Sequence, residues 1–516
     1  PTRKETMRSP SRRRLLAGLL LAPLLTGCFA SGGGEASDTS GGSRLRVALA
    51  FPPAENYSPY GADATLLTRL GVTEGLTRLD ANGTAIPALA ESWSRENDRS
   101  WLFTLREAAF QDGTEVTPKA VAAALTHATR AKPVTAALSG VELTAEAADG
   151  GRVRVTTADP DPVLPLRLSS PGLAVLSAKA YAKKGGVSPV GTATGPFELT
   201  KVTGTTAATL DRFDDYWGGR AQASGIDAKY IADGSARTNA LRTGETDIAE
   251  AVPVSQAASL DKATRRDTAT TRTTSLLLNT DSGPFKDPKV RAAAREAIDT
   301  SAFAKGVYEG YADSGVGIYG PALNWAADAR SAMGVPPAEG WGSVKPTGRA
   351  EAQGAGGTSV TVATYDNRPE LPEAAQVLKQ QLEKAGFEVE LEVREYSRLE
   401  SDALDGKFDA VIAARNTMLD TGDPVSILAS DYTCDGSYNL ALLCDKKVDK
   451  AVATAESISD TAERQDASMA AEAAVLGTDA VVPLVHQRII TGVGAEVSGV
   501  QLDPYERALV GAGTRR

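Results

Sequence analysis

Acid–base and metal chemistry near neutral pH leans on histidine, and this chain holds two, His127 and His486, far apart in sequence. His127 falls inside a helix predicted from Pro118, and His486 follows the apolar run from Val481 to Val485. Each reads as a structural side chain. Neither belongs to an H-E-x-x-H helix, the pattern that lets two imidazoles share a zinc ion, so no metal site is expected. The G-x-S-x-G elbow of serine hydrolases and the G-x-x-x-x-G-K-[ST] phosphate loop are both absent. One S-x-x-K match, Ser259 with Lys262, has the spacing of penicillin-interacting serine enzymes without their S-D-N and K-T-G companions. It stands as the hydrolase alternative. Neighbouring carboxylates such as Asp214 and Asp215 are common on solvated faces, and spacing alone does not set them around a sugar. These residues describe a protein that binds and does not convert, with no cofactor.

At the N-terminal end, Arg12, Arg13 and Arg14 precede an apolar stretch from Leu15 to Leu25. That stretch is too short for a spanning helix, which needs about 20 apolar residues, and its layout over residues 1–27 is that of an export signal. Leu24, Leu25, Thr26, Gly27 and Cys28 resemble the lipobox of bacterial lipoproteins, in which the cysteine takes lipid and becomes the mature N-terminus. An ordinary signal with an incidental cysteine is the alternative. The segment from Ser11 to Leu16 is similar to a twin-arginine signal. Residues 28–43, rich in Gly and Ser, read as a flexible tether. The expected location is the extracytoplasmic face of a bacterial membrane, held there by the lipid on Cys28. In that oxidising compartment Cys434 and Cys444 are expected to form a local disulfide, two free thiols being the alternative.

At 516 residues there is room for about three domains of ~150 residues. The formal charge is −10; the first 27 residues hold six Lys/Arg and one Asp/Glu, which leaves 49 against 64 and a charge of −15. So acidic a surface argues against nucleic acid or anionic lipid as partners.

The elements that must position any site follow from periodicity. Leu45 to Leu49, Trp101 to Leu105 and Arg152 to Thr156 alternate as strands, and Thr117 followed by Pro118 opens a helix towards Thr129. Strands are also expected from Phe197 and over Ala207 to Leu210. Ser359 to Thr364 reads as a strand. Ala374, Val377, Leu378, Leu382 and Ala385 recur at helical spacing over Glu373 to Ala385, with Gly386 as its cap. Phe387, Val389, Leu391 and Val393 alternate with charged residues, and Lys407 to Ala414 is a further strand. Strand–helix–strand–helix–strand predicts an α/β lobe with a largely parallel sheet. Ligands sit outside the carboxyl ends of such strands, so the loop starting at Asn416 is a candidate site.

Val72, Glu74, Gly75 and Leu76 are followed by Pro87, Glu91, Trp93, Phe110, Asp112 and Gly113. Gly195, Pro196 and Phe197 come next, then Tyr216 and Trp217, Gly244 to Ile248, Leu278 to Thr280, and Pro284 to Ala292. Phe408, Asp409, Asp420, Asp423 and Pro424 complete a series that spans nearly the whole chain after the tether. Their order resembles the peptide- and nickel-binding family of solute-binding proteins that serve ABC importers. The resemblance implies an α/β, two-lobed periplasmic-binding-protein-like fold with a hinge and an additional accessory domain. It assigns 44–74, 190–276 and 484–516 to lobe I, 75–189 to the accessory domain and 277–483 to lobe II. It further implies a monomer that delivers short peptides to ABC importer permease subunits. Nickel or another metal carried as a chelate, or another small solute, is the alternative within the family.

In peptide-binding members an aspartate three residues before an acidic–Pro pair contacts the peptide α-ammonium; Asp420 precedes Asp423 and Pro424 at that spacing. The competing role for Asp420 is a turn cap. Those members often carry an aromatic residue where this chain has Thr417. The resemblance also nominates the main chain of Asn279, the loop around Tyr57, and Asp423 beside Pro424 as ligand-facing. It matches Cys434 and Cys444 to a disulfide of some dipeptide-binding members, and leaves Trp217 as core.

Overall fold

Two strands much longer than their neighbours, Arg265–Leu278 and Val481–Val493, run antiparallel through the computed structural model, which describes residues 42–182, 186–332 and 355–516. The export signal, Cys28 and all but the last two tether residues lie outside the described residues. Both long strands are rich in β-branched side chains, which suit a pleated surface. Thr270 to Leu278 are buried without a break, so the threonine hydroxyls need partners. Thr270 donates to the Gln487 carbonyl at 2.8 Å, Thr271 to Asn416 Oδ1 at 2.7 Å and Thr273 to the Ile318 carbonyl at 2.9 Å.

The register of this pair breaks between Ala269 and Thr273, where residues 270–272 stand opposite Gln487. Such an irregularity bends and twists a strand locally. It divides an 11-stranded sheet into two halves. On one side, Val481–Val493 pairs with Ile248–Ala249, followed by Leu45–Leu49, Gly225–Tyr230, Ala207–Arg212 and Phe197–Thr203. On the other, Arg265–Leu278 pairs with Ala410–Asn416, then Thr358–Tyr365 and Phe387–Arg394. A separate antiparallel sheet of four strands, Ala90–Arg95, Ser100–Leu105, Arg152–Thr157 and Leu143–Ala148, packs on the helix Pro118–Ala128. Thr117 caps that helix by accepting the Ala120 N–H at 3.2 Å.

The predicted parallel arrangement holds for Thr358–Tyr365 with its two neighbours, while the long strands pair antiparallel and make the whole sheet mixed. The helix Glu370–Lys384 buries Leu371, Ala374, Ala375, Leu378 and Leu382 and ends before Gly386, whose φ of +101° costs an L side chain dearly. Along the edge strand Phe387–Arg394 the apolar face fades: Phe387 and Val389 are buried, but Val393 is 49 % exposed. The strand expected at 407–414 runs Ala410–Asn416, which carries it to the register break.

Candidate functional site

Three parallel strands, Thr358–Tyr365, Phe387–Arg394 and Ala410–Asn416, end at the same edge of the second half, where an α/β sheet offers its ligand site. Asn416 pairs there with Arg272, so this edge is also the crossover between the halves.

Asp420 lies in the loop that leaves Asn416. It is half-buried, and its carboxylate accepts no hydrogen bond from the described residues. Arg415 and Arg507 lie within electrostatic reach of it. Asp423, three residues on, is fully occupied. It caps the helix Pro424–Tyr432 through the Val425 N–H at 3.3 Å, accepts from Ser426 Oγ at 3.0 Å, and takes both Nε and Nη2 of Arg464 at 2.8 and 2.7 Å. Burial alone would raise its pKa, but the bonds and charge of Arg464 outweigh this and hold it below the usual carboxylate range. Asp423 is therefore held inside the protein as a structural ion.

Asn279 stands just past Leu278, at the far end of the long strand from the crossover, about 20 Å from Arg272 at ~3.3 Å per residue. Its N–H donates to the Asp409 carbonyl, its Nδ2 to Phe408 O and Ser282 Oγ, and its Oδ1 accepts from Asp281 and Ser282. The structure does not bring it to Asp420: the register break at 270–272 lies seven residues ahead of it along the chain. Tyr57 is 3 % exposed in the core of the first half, and its hydroxyl donates to Tyr230 Oη at 2.9 Å. Asp63 accepts the N–H groups of Ala54, Glu55 and Tyr57, fixing a turn in which Tyr57 adopts φ +61°.

Several residues at the edge carry no sequence signature. Arg415 is gripped by both oxygens of Asp431 at 2.8 and 3.1 Å and lies 4.0 Å from the Tyr438 ring centroid. Tyr438 shares a 2.7 Å hydrogen bond with Tyr396, and Tyr365 meets Tyr396 edge-on. The disulfide Cys434–Cys444 closes the loop that carries Tyr438. Arg368, three residues beyond the end of Thr358–Tyr365, makes no ion pair with the described residues, and its guanidinium lies 5.4 Å from the ring of Phe51 in the first half. At the crossover, Arg272 donates to both oxygens of Glu506 at 2.8 and 2.9 Å, and Asn416 Nδ2 to Glu506 at 3.2 Å. Burial would raise the Glu506 pKa, but Arg272 overrides it and brings it down to about 2.

The loop is covered where the parts of the molecule meet. Met418 lies against Gly83, and Leu79 against Gly422. A cavity of about 240 Å³ lies between Asn82 and Trp325, and Asp420 is not in its lining. Elsewhere, Glu74 accepts from Tyr216, Trp217 and Thr194 at 2.8, 3.0 and 2.8 Å, so several of the ordered motifs meet in one scaffolding network. Both histidines are structural: His127 stacks on Tyr181 at 3.8 Å, and buried His486 accepts the Val316 N–H. Burial lowers the His486 pKa to about 3. Exposed Ser259 donates to the Gln256 carbonyl. Among the described residues no group of three metal-ligating side chains occurs, and no helix is long and apolar enough to cross a membrane.

Two half-sheets joined by two long strands, with an open carboxylate at the crossover edge, define a two-lobed solute-binding protein. The chain belongs to the bacterial extracellular solute-binding proteins, family 5, which it matches over residues 84–439. This is a family of binding proteins, not enzymes. The chain is 27 % identical over 472 residues to a glutathione-binding protein GsiB of Shigella dysenteriae, covering 86 % of this chain and 90 % of the relative. Its fold is shared with NikA from Brucella suis in complex with Fe(III)-EDTA (TM-score 0.75, 22 % identity, 91 % and 99 % of the two chains). The ABC transporter-associated periplasmic binding protein DppA from Helicobacter pylori, in complex with peptide STSA, matches at TM-score 0.71, 21 % identity and 90 % and 98 % coverage.

Proposed function

We propose that this protein captures short peptides between its two lobes and delivers them to the permease of an ABC importer. Asp420 receives the ligand's α-ammonium and Arg368 its carboxylate. The observation that carries this reading is the unbonded, half-buried carboxylate of Asp420 at the edge where the lobes meet. A charge closed off from water without a partner costs several kcal/mol, and an ammonium removes that cost. Arg368 adds a cation without an ion pair among the described residues, over an aromatic ring of the opposite half. The relatives named for glutathione and for a bound peptide support the same class of ligand.

The domain division goes with this reading: an export signal over 1–27, a tether over 28–43 lipidated at Cys28, an accessory domain over 75–189, and lobes that exchange at 270–272 and at 487. The protein works as a monomer on the outer face of the membrane. Native mass spectrometry of the protein purified without denaturation tests the ligand. Co-purified masses matching short peptides, lost in Asp420→Ala, are the expected result. A single metal–chelate mass, or peptides retained unchanged by that variant, would overturn the assignment.

A further inference from the structure

We propose that Arg507 is a positioning residue for the ligand loop, fixing the Met418 and Leu419 carbonyls and through them the direction in which Asp420 faces the cleft. This rests on the reading that Asp420 receives the ligand's ammonium.

The C-terminal segment is built to present Arg507. Tyr505 packs in the core of the second half, and Leu509 and Val510 in that of the first, so the chain between them straps the two together. Asp503 accepts the N–H groups of Tyr505, Arg507 and Ala508 at 3.0, 2.7 and 3.1 Å, which shapes the turn. The Arg507 guanidinium then commits all three nitrogens. Nε donates to Leu419 O at 2.9 Å, Nη2 to Met418 O at 2.8 Å, and Nη1 to the carbonyl and hydroxyl of Ser169 at 3.1 and 2.9 Å. The side chain is buried, and no carboxylate is among these partners. A planar fork holds three groups at fixed angles; a lysine ammonium supplies the charge without that geometry.

What the fork holds is the stretch just ahead of Asp420. Met418 is gripped twice, its N–H by Asn416 Oδ1 at 3.0 Å and its carbonyl by Arg507. Beyond Leu419 the next anchored points are Thr421 and Asp423, joined at 3.2 Å, while Asp420 between them forms no hydrogen bond with the described residues. Arg507 is thus the last fixed point before the carboxylate. Burial pulls its pKa down to about 10, and Asp503 and Asp420 oppose that fall, as expected of a cation set beside the ligand's anchor.

The test compares wild type, Arg507→Lys, Asp503→Asn and Asp420→Ala, each as the full chain, offered a tryptic digest of casein and the same digest acetylated at its amines. Native mass spectrometry reads the preference for free over acetylated peptides. A residue that only cements the domains would weaken both captures alike and leave the preference unchanged. Positioning predicts that Arg507→Lys cuts the preference about tenfold, towards that of Asp420→Ala, and that Asp503→Asn cuts it by about threefold. Asp503→Asn keeps the guanidinium and serves if Arg507→Lys does not fold. Loss of preference in Asp420→Ala with full preference in both other variants overturns the role of Arg507 alone. Equal capture of both digests by wild type, or undiminished preference in Asp420→Ala, sinks the ammonium reading and this inference with it.

Discussion

Asp420 and Asp423 stand three residues apart in one loop and meet opposite surroundings. Asp423 is closed in by a helix N-terminus, a serine and both prongs of Arg464, so its charge is spent inside the protein. Asp420, at the edge where the two halves of the sheet meet, accepts no hydrogen bond from the described residues. Within the same motif, one carboxylate holds the loop and the other is left for something to hold. Proximity to a recognisable pair therefore says little about which member stays open; the count of partners says more.

The largest effect should come from Asp423→Ala. Removing one partner of a buried pair leaves Arg464 uncompensated, and about 3–5 kcal/mol of unfolding free energy should be lost in a urea titration. A loss below about 1 kcal/mol would break the contrast between the two aspartates. Replacing Cys434 and Cys444 by serine should cost about 2–3 kcal/mol from loop closure alone. It should also weaken peptide capture, since Tyr438 would lose the closed loop that sets it on Arg415. Unchanged capture with the expected stability loss would separate the aromatic cluster from the site. Asp420→Ala should reverse the pattern of Asp423→Ala: affinity falls by about 1.5–3 kcal/mol, as for a charged hydrogen bond, while the urea midpoint hardly moves.

The pH response sharpens the comparison at the crossover. Glu506 has a folded pKa near 2 against an ordinary 4.5, so it stabilises the fold above about 4.5 and loses that contribution as pH falls towards 2. Glu506→Gln should flatten the stability curve across that window. Curves that stay parallel there would mean that Arg272 holds no special charge partner. Asn279→Ala should give the smallest functional effect, about 1–2 kcal/mol of stability from its lost hydrogen bonds and no change in capture. Weakened capture would return Asn279 to the cleft.

Much of this was readable along the chain. The 3.6-residue recurrence of Ala374, Leu378 and Leu382 located a helix because burial of one face is a local pattern. Thr117 with Pro118 marked a helix start because capping involves residues a turn apart. The loop after Asn416 was legible from strand direction, and Asp420 from motif spacing. The surroundings of Asn279 and Tyr57 were not legible, since nothing local says where the register of a long strand breaks or that a tyrosine hydroxyl meets another 173 residues away. Arg507, Glu506 and Arg272 carried no signal at all: the side-chain partners named for them lie 88 to 338 residues off.

The sequence by itself determined the mixed α/β class, the ordered motifs of the family, the cysteine pair and the loop that bears Asp420. Each is set by short-range periodicity, capping or spacing, which act within a few residues. Only the tertiary structure decided which carboxylate stays open, where the register of the long strands breaks, and which arginine holds the loop ahead of Asp420. Those depend on desolvation and on bonds closed between distant segments, and such energies exist only once the chain has folded.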